Sequence, residues 1–79
     1  MSSTPKLSPA QYRLLVHLRE QAEAARRNPL MYEREALVGT GRTRGPTANV
    51  LVRLGLVDER VSRAGVRTIA LNVAGLAAL

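Results

Sequence analysis

The sequence contains no cysteine, tryptophan or phenylalanine, and it has a single histidine. Without cysteine there can be no disulfide and no thiolate zinc site, so this chain of 79 residues must be stabilised by packing or by association with another chain. Leu, Val and Ala supply almost all of the 46% hydrophobic residues, which predicts an aliphatic, thin core. The length favours one domain, because two separate cores would each bury too little apolar surface.

Long apolar runs are also absent from the sequence. Arg or Glu interrupts the hydrophobic stretches every few positions, so none approaches the roughly 20 residues that cross a bilayer. No signal-peptide core precedes a small-residue cleavage site. We therefore expect a cytoplasmic protein with no membrane partner.

Catalytic groups are scarce as well. His17 is predicted on the polar face of a helix, and no carboxylate pair has a spacing typical of acid–base catalysis. The glycine-rich residues 39–45 lack the lysine and the following Ser or Thr of a P-loop, and they follow no predicted strand. The sequence thus predicts a protein that is not an enzyme and that needs no cofactor or metal.

Positive charge is abundant, with 12 Lys and Arg against 6 Asp and Glu. After residue 36, six arginines face only Asp58 and Glu59. A guanidinium group can bind phosphate or guanine through two hydrogen bonds, so this imbalance favours a surface for polyanions. The alternatives are the codon bias of a GC-rich genome and solvated charges that keep the protein soluble.

Local signals divide the chain into elements. Residues 1–7 are polar and carry a proline, which predicts a flexible N-terminal arm before a domain over residues 8–79. Ser8 and Pro9 start a helix that runs to about Arg27, and Asn28-Pro29 ends it. The helix is expected to bury Leu14, Leu15, Leu18, Ala22 and Ala25. A second, shorter helix is predicted over residues 32–38, with Gly39 as its stop.

The C-terminal half predicts a third helix and a hairpin. The third helix reaches Leu54, with Ala48, Leu51 and Leu54 facing inward and Gly55 closing it, while its start is left open by Gly45-Pro46. Residues 56–61 and 66–71 are rich in β-branched side chains and indicate a β-hairpin with Arg63 at its tip. Asn72 is expected to cap a final short helix.

The segment from residue 51 to 75 resembles the winged helix domain of bacterial transcription regulators, notably the MarR type. Leu54, Gly55, Leu56 and Val57 match the end of that family's recognition helix and the start of its wing. Arg67, Ile69, Leu71 and Gly75 match the return strand and the following helix, while Asn72 stands where threonine is usual. The resemblance covers roughly residues 8 to 75. The sequence departs from the family at Gly45-Pro46, and it has no counterpart of the long C-terminal helices through which that family dimerises.

The resemblance implies an α+β fold, a small winged helix with a three-helix core, a C-terminal hairpin wing and a short terminal helix. It also implies a bacterial or phage protein that binds specific double-stranded DNA sequences and regulates transcription, with a homodimer as a further candidate assembly. Exposed side chains on the third helix would read bases in the major groove, and the wing would contact adjacent backbone or minor groove. The expected DNA-binding residues are Arg42, Thr43, Arg44, Thr47, Asn49, Arg53, Arg60, Arg63 and Arg67.

A second hypothesis is a winged helix that serves as a protein-interaction module within a larger complex, such as a phage particle, because fold alone does not determine function. Such a module would expose an apolar patch. Val50, Val52, Leu76 and Leu79 are the candidates for this patch, and they could equally form a homodimer seam.

Overall fold

The structure of the protein is a computed structural model that describes residues 6–41 and 43–79. Within them, three helices and a three-stranded antiparallel sheet form an α+β fold around one core. The predicted arm over residues 1–7 lies largely outside the described residues, although Leu7 packs against the core. The elements are α1 (Pro9–Arg27), β1 (Ala36–Leu37), α2 (Gly45–Arg53), β2 (Val57–Val61), β3 (Arg67–Leu71) and α3 (Val73–Ala77).

Helix α1 has the predicted bounds. The Ser8 hydroxyl accepts a hydrogen bond from the Gln11 amide at 3.2 Å, and the Gln11 side chain accepts one from the Ser8 amide at 3.0 Å. This reciprocal pair satisfies two amide donors that the first turn leaves without partners. Leu14, Leu15 and Leu18 are fully or almost fully buried, so α1 supplies the largest share of the core.

The predicted helix over residues 32–38 is wrong, and so is the predicted three-helix core, because only two described helices, α1 and α2, precede the hairpin. Ala36 and Leu37 form strand β1 instead, and Ala36 pairs with Ile69 of β3. The Gln21 side-chain amide donates to the carbonyl oxygens of Glu33 and Glu35, both at 2.8 Å. Because these carbonyls and the β1 backbone are satisfied by α1 and β3, the segment gains nothing from helical hydrogen bonds.

Helix α2 begins at the Gly45-Pro46 pair, which therefore opens the helix rather than interrupting it. Proline is favoured in the first turn because the amide that it lacks would have no helical partner there. The helix ends at Arg53 with Leu54 as its C-cap, and Gly55 follows with a φ of 73°, as expected for the residue that closes the helix. Leu54 was expected in the core but is 41% exposed, because it lies at the C-cap beyond the last inward-facing turn.

The sheet has the strand order β1-β3-β2, with β2 and β3 forming the predicted hairpin. Its tip is closed by a 2.9 Å bond from the Ser62 amide to the Val66 carbonyl and by a bond from the Val66 amide to the Ser62 hydroxyl. One face of the sheet packs on the helices through Val57 and Ile69, which are both buried. The other face is open to solvent.

Helix α3 closes the core at the junction between α2 and β2. The Asn72 side chain accepts a hydrogen bond from the Gly75 amide at 2.8 Å, which confirms the predicted cap. Gly75 is packed so closely that a Cβ atom there would overlap the carbonyl oxygen of Leu56. None of the helices in the described part of the chain is both long and apolar enough to cross a membrane.

Candidate nucleic-acid interface

Helix α2 has one buried face and one exposed stripe. Ala48 and Leu51 are fully buried, whereas Pro46, Asn49 and Arg53 are exposed. Residues three, four and seven positions apart share a helix face, so these three side chains form a single stripe opposite the core. Asn49 and Arg53 are therefore presented together to solvent, as the sequence predicts.

The N-terminal end of α2 adds a second cation to this side of the helix. Arg44 occupies the N-cap position, is exposed, and makes no side-chain cap hydrogen bond. With half-buried Thr47 it lines an open groove of about 840 Å³ that α1 flanks with Arg13 and His17. Glu20 of α1 lines the same groove, so its wall carries one carboxylate beside Arg13 and Arg44.

One predicted site residue before α2 does not join this surface. Thr43 is only 3% exposed, and its backbone holds the turn before α2 through a 2.9 Å bond from its amide to the Thr40 carbonyl. Its side chain is therefore withdrawn from the exposed stripe of α2. Arg42 lies outside the described residues.

Two arginines of the hairpin are engaged in ion pairs within the chain. The Arg67 guanidinium bonds Glu59 through two nitrogens, with Nε at 2.8 Å from Oε2. Arg60 lies 3.4 Å from a carboxylate oxygen of Glu35, and the other oxygen of Glu35 accepts a bond from the Thr68 hydroxyl. Each of these two arginines therefore has a carboxylate partner within the chain, and their contact with DNA stays a prediction.

The hairpin arginines also lie on different faces of the sheet. Side chains alternate along a strand, and the register pairs Arg60 with Thr68 and Val61 with Arg67. Arg67 therefore shares the face of buried Ile69, while Arg60 lies on the solvent face. Arg63, at the exposed tip, makes no ion pair with any residue that the structure describes. It is the hairpin cation best placed for an external partner.

Sequence reasoning missed that Glu35 and Glu59 form ion pairs with Arg60 and Arg67. Glu59 could have been found, because the hairpin register places it diagonally opposite Arg67. Glu35 could not, since its position depends on β1, which was predicted as helix.

The apolar patch proposed for an interaction module is only partly present. Val52 and Leu79 pack against the core and Val50 is half-buried, whereas Leu76 is exposed. The most exposed large apolar side chains in the described residues are Leu30, at 96%, and Met31, at 72%, in the loop that follows α1, together with Val73, at 85%, in α3.

In residues 6–41 and 43–79, no three His, Asp or Glu side chains are grouped so that they could hold a metal ion. Comparison with protein-family models, with curated proteins and with solved structures finds no match to this chain.

Proposed function

We propose that this chain is a winged helix domain that binds specific double-stranded DNA sequences and acts as a transcription regulator. In this proposal α2 lies in the major groove and the β2–β3 hairpin acts as the wing. The observation that carries it is the exposed stripe of α2, where Asn49 and Arg53 face solvent with Arg44 nearby. An α-helix about 10 Å wide fits the major groove of B-DNA.

The electrostatics of the C-terminal half support this choice of surface. Its two acidic residues are engaged elsewhere, Glu59 with Arg67 and Asp58 with the side-chain amide of Asn72. No carboxylate among the described residues pairs with Arg44 or Arg53. The α2 surface thus keeps its positive charge available for a polyanion, without the cost of separating an ion pair.

Each side chain has a role that follows from its chemistry. Arg53 can bond O6 and N7 of guanine, and Asn49 can bond N6 and N7 of adenine. Arg44 and the first amides of α2 suit a phosphate, which would set the orientation of the helix on the duplex. Arg63 at the hairpin tip would contact the neighbouring backbone or minor groove.

The test is a fluorescence anisotropy titration of labelled random and selected duplexes at several salt concentrations. If Arg44, Arg53 and Arg63 each displace a counterion from the duplex, the log-log slope of affinity against salt should be about −3. The two ion-paired arginines are left out of this count, since each already has a counterion in the protein. A flat salt response, or equal affinity for every duplex in a selection experiment, would contradict the proposal.

The second candidate function is a protein-interaction module, and the exposed Leu30 and Met31 favour it. Two adjacent apolar side chains in a loop, beside half-exposed Tyr32, are a typical contact for a partner protein. Under this alternative, the DNA titration would show no binding at low salt. Replacing Leu30 and Met31 by Ser would then leave the free chain folded while abolishing its incorporation into the native complex.

A further inference from the structure

Strand β2 forms a free edge of the sheet, since the order β1-β3-β2 places β3 on one side of it and no described strand on the other. The Ser62 amide bonds the Val66 carbonyl, and the Asn72 amide bonds the Leu56 carbonyl. Hydrogen-bonded pairs alternate with non-bonded pairs along an antiparallel ladder. The backbone amides and carbonyls of the even-numbered residues of β2 therefore point toward β3. The amides and carbonyls of Val57, Glu59 and Val61 therefore point outward, away from the sheet.

This edge has none of the backbone features that usually block further pairing. The register between β2 and β3 is continuous over all five residues, with no bulge, and β2 contains no proline. Residues 58–61 are exposed. A regular edge of this kind accepts another strand unless its side chains oppose the pairing.

The side chains of β2 favour one partner, a second copy of the same strand. The sequence Val-Asp-Glu-Arg-Val has apolar ends, and the two residues that flank Glu59 carry opposite charges. We propose that two copies of the chain associate through antiparallel pairing of β2 with β2, with the two-fold axis at Glu59. In this register Asp58 lies opposite Arg60 of the partner subunit, and the same contact occurs twice.

The register uses every outward backbone group. Glu59 pairs with its own symmetry copy, and Val57 pairs with Val61 of the partner subunit, so all outward amides find carbonyls. The two Glu59 carboxylates do not meet as bare charges, because each is bonded to Arg67 of its own chain. Val61, which is 56% exposed in the single chain, would be partly covered. The product is one continuous six-stranded sheet whose hairpin tips point in opposite directions.

A charge-swap series tests the contact between Asp58 and Arg60. The wild-type chain, measured by sedimentation equilibrium without DNA, should form dimers, and Arg60→Asp should raise the dissociation constant at least about tenfold by setting two aspartates opposite each other twice. The double variant Asp58→Arg with Arg60→Asp should restore dimers. Both variants lose the ion pair between residue 60 and Glu35 within the chain, so this loss is matched. They differ in the charges that meet between the two β2 strands. A wild-type chain that stays monomeric to about 1 mM, or a double variant no better than the single one, overturns the proposal.

An introduced cysteine tests the register. The chain has no cysteine of its own, so Glu59→Cys should form an intermolecular disulfide, because hydrogen-bonded partners across an antiparallel pair have Cα atoms about 5.5 Å apart. Ser62→Cys is the control, since the same register separates those two residues by roughly 20 Å. Equal crosslinking of the two variants, or none at position 59 under oxidising conditions, would exclude this pairing.

The experiment distinguishes this inference from the proposed function. Dimerisation is measured in the absence of DNA, and the double variant keeps the net charge and leaves Arg44 and Arg53 untouched. A chain that dimerises through β2 but binds no duplex overturns only the DNA-binding proposal. A chain that binds duplex as a monomer overturns only the pairing.

Discussion

Helix α2 and the β2–β3 hairpin both carry arginines, but they hold them in different electrostatic states. Arg44 and Arg53 on α2 have no carboxylate partner among the described residues, whereas Arg60 and Arg67 on the hairpin are paired with Glu35 and Glu59. The difference has two sources: β2 itself supplies Glu59, which binds Arg67, whereas β1 brings Glu35 from a distant part of the chain to Arg60. The number of arginines in a segment thus says less about its available charge than the position of the carboxylates does.

The two ion pairs of the hairpin arginines also differ from each other in geometry and exposure. Arg67 and Glu59 are each about one-third exposed and bonded through two guanidinium nitrogens, while the Arg60 side chain is 78% exposed. Exposed ion pairs contribute about 0 to 1 kcal/mol, so Arg60 can exchange Glu35 for another anion at little cost. Arg67 must give up a better contact with Glu59, so it is less available to DNA than Arg60.

The largest expected effect comes from Gly75, which sets the junction between the two regions. Gly75→Ala would push a Cβ against the Leu56 backbone and should lower the free energy of unfolding by about 3 kcal/mol, measured by urea denaturation. Gly45→Ala is the control, because no atom lies within 4 Å of a Cβ there and Ala favours helix. Equal stability of the two variants would show that α3 does not fix the position of β2.

The second effect concerns the α2 surface itself. Arg53→Ala should weaken binding to a selected duplex by about 1 to 3 kcal/mol and broaden the range of sequences bound, because it removes a contact to base edges. Arg27→Ala, on the last turn of α1, is the matched loss of one exposed cation. If both variants lose affinity equally for all sequences, α2 is not the element that reads bases.

The third prediction is a gain in affinity for duplex DNA rather than a loss. Glu59→Gln removes a negative charge and releases Arg67, so affinity for duplex DNA should rise, and the log-log salt slope should steepen by about 1. Anisotropy titrations at several salt concentrations measure both quantities. An unchanged slope would place Arg67 outside the DNA contact and would sharpen the contrast between the hairpin and α2.

The smallest effect is expected for Glu35→Gln. Because Arg60 is already largely exposed to solvent, its release should change duplex affinity by less than about 0.5 kcal/mol. The same titration gives the value, with Glu23→Gln on the exposed side of α1 as the control for loss of one carboxylate. A gain that matches or exceeds that of Glu59→Gln would reverse the order of the two ion pairs.

Signals that act within a few residues predicted most of the fold. Ser8 and Pro9 fixed the start of α1, Gly55 fixed the end of α2, and Asn72 fixed the start of α3, since each side chain or backbone preference acts on its own turn. β1 could not be predicted this way. Ala36 is a strand residue only because Ile69, far along the chain, offers it a free strand edge.

In the candidate site, too, local features could be predicted from the sequence and contacts between distant residues could not. The exposed stripe with Asn49 and Arg53 follows from helical periodicity, which the sequence displays directly. The pairing of Arg60 with Glu35 depends on the strand register and on β1, so the sequence overstated the free charge of the hairpin.

Gln21 ties the segment before β1 to α1 through two hydrogen bonds from one side-chain amide. The same segment is held by the pairing of Ala36 with Ile69 and by the bonds of Glu35 to Arg60 and Thr68, so residues 33–37 should detach and reattach as a unit, with all of these contacts broken together, while the hairpin keeps its pairing. Their backbone amides should exchange with deuterium faster than those of β3. Glu35 belongs to this unit, so each opening takes the carboxylate away from Arg60 and each closing restores it.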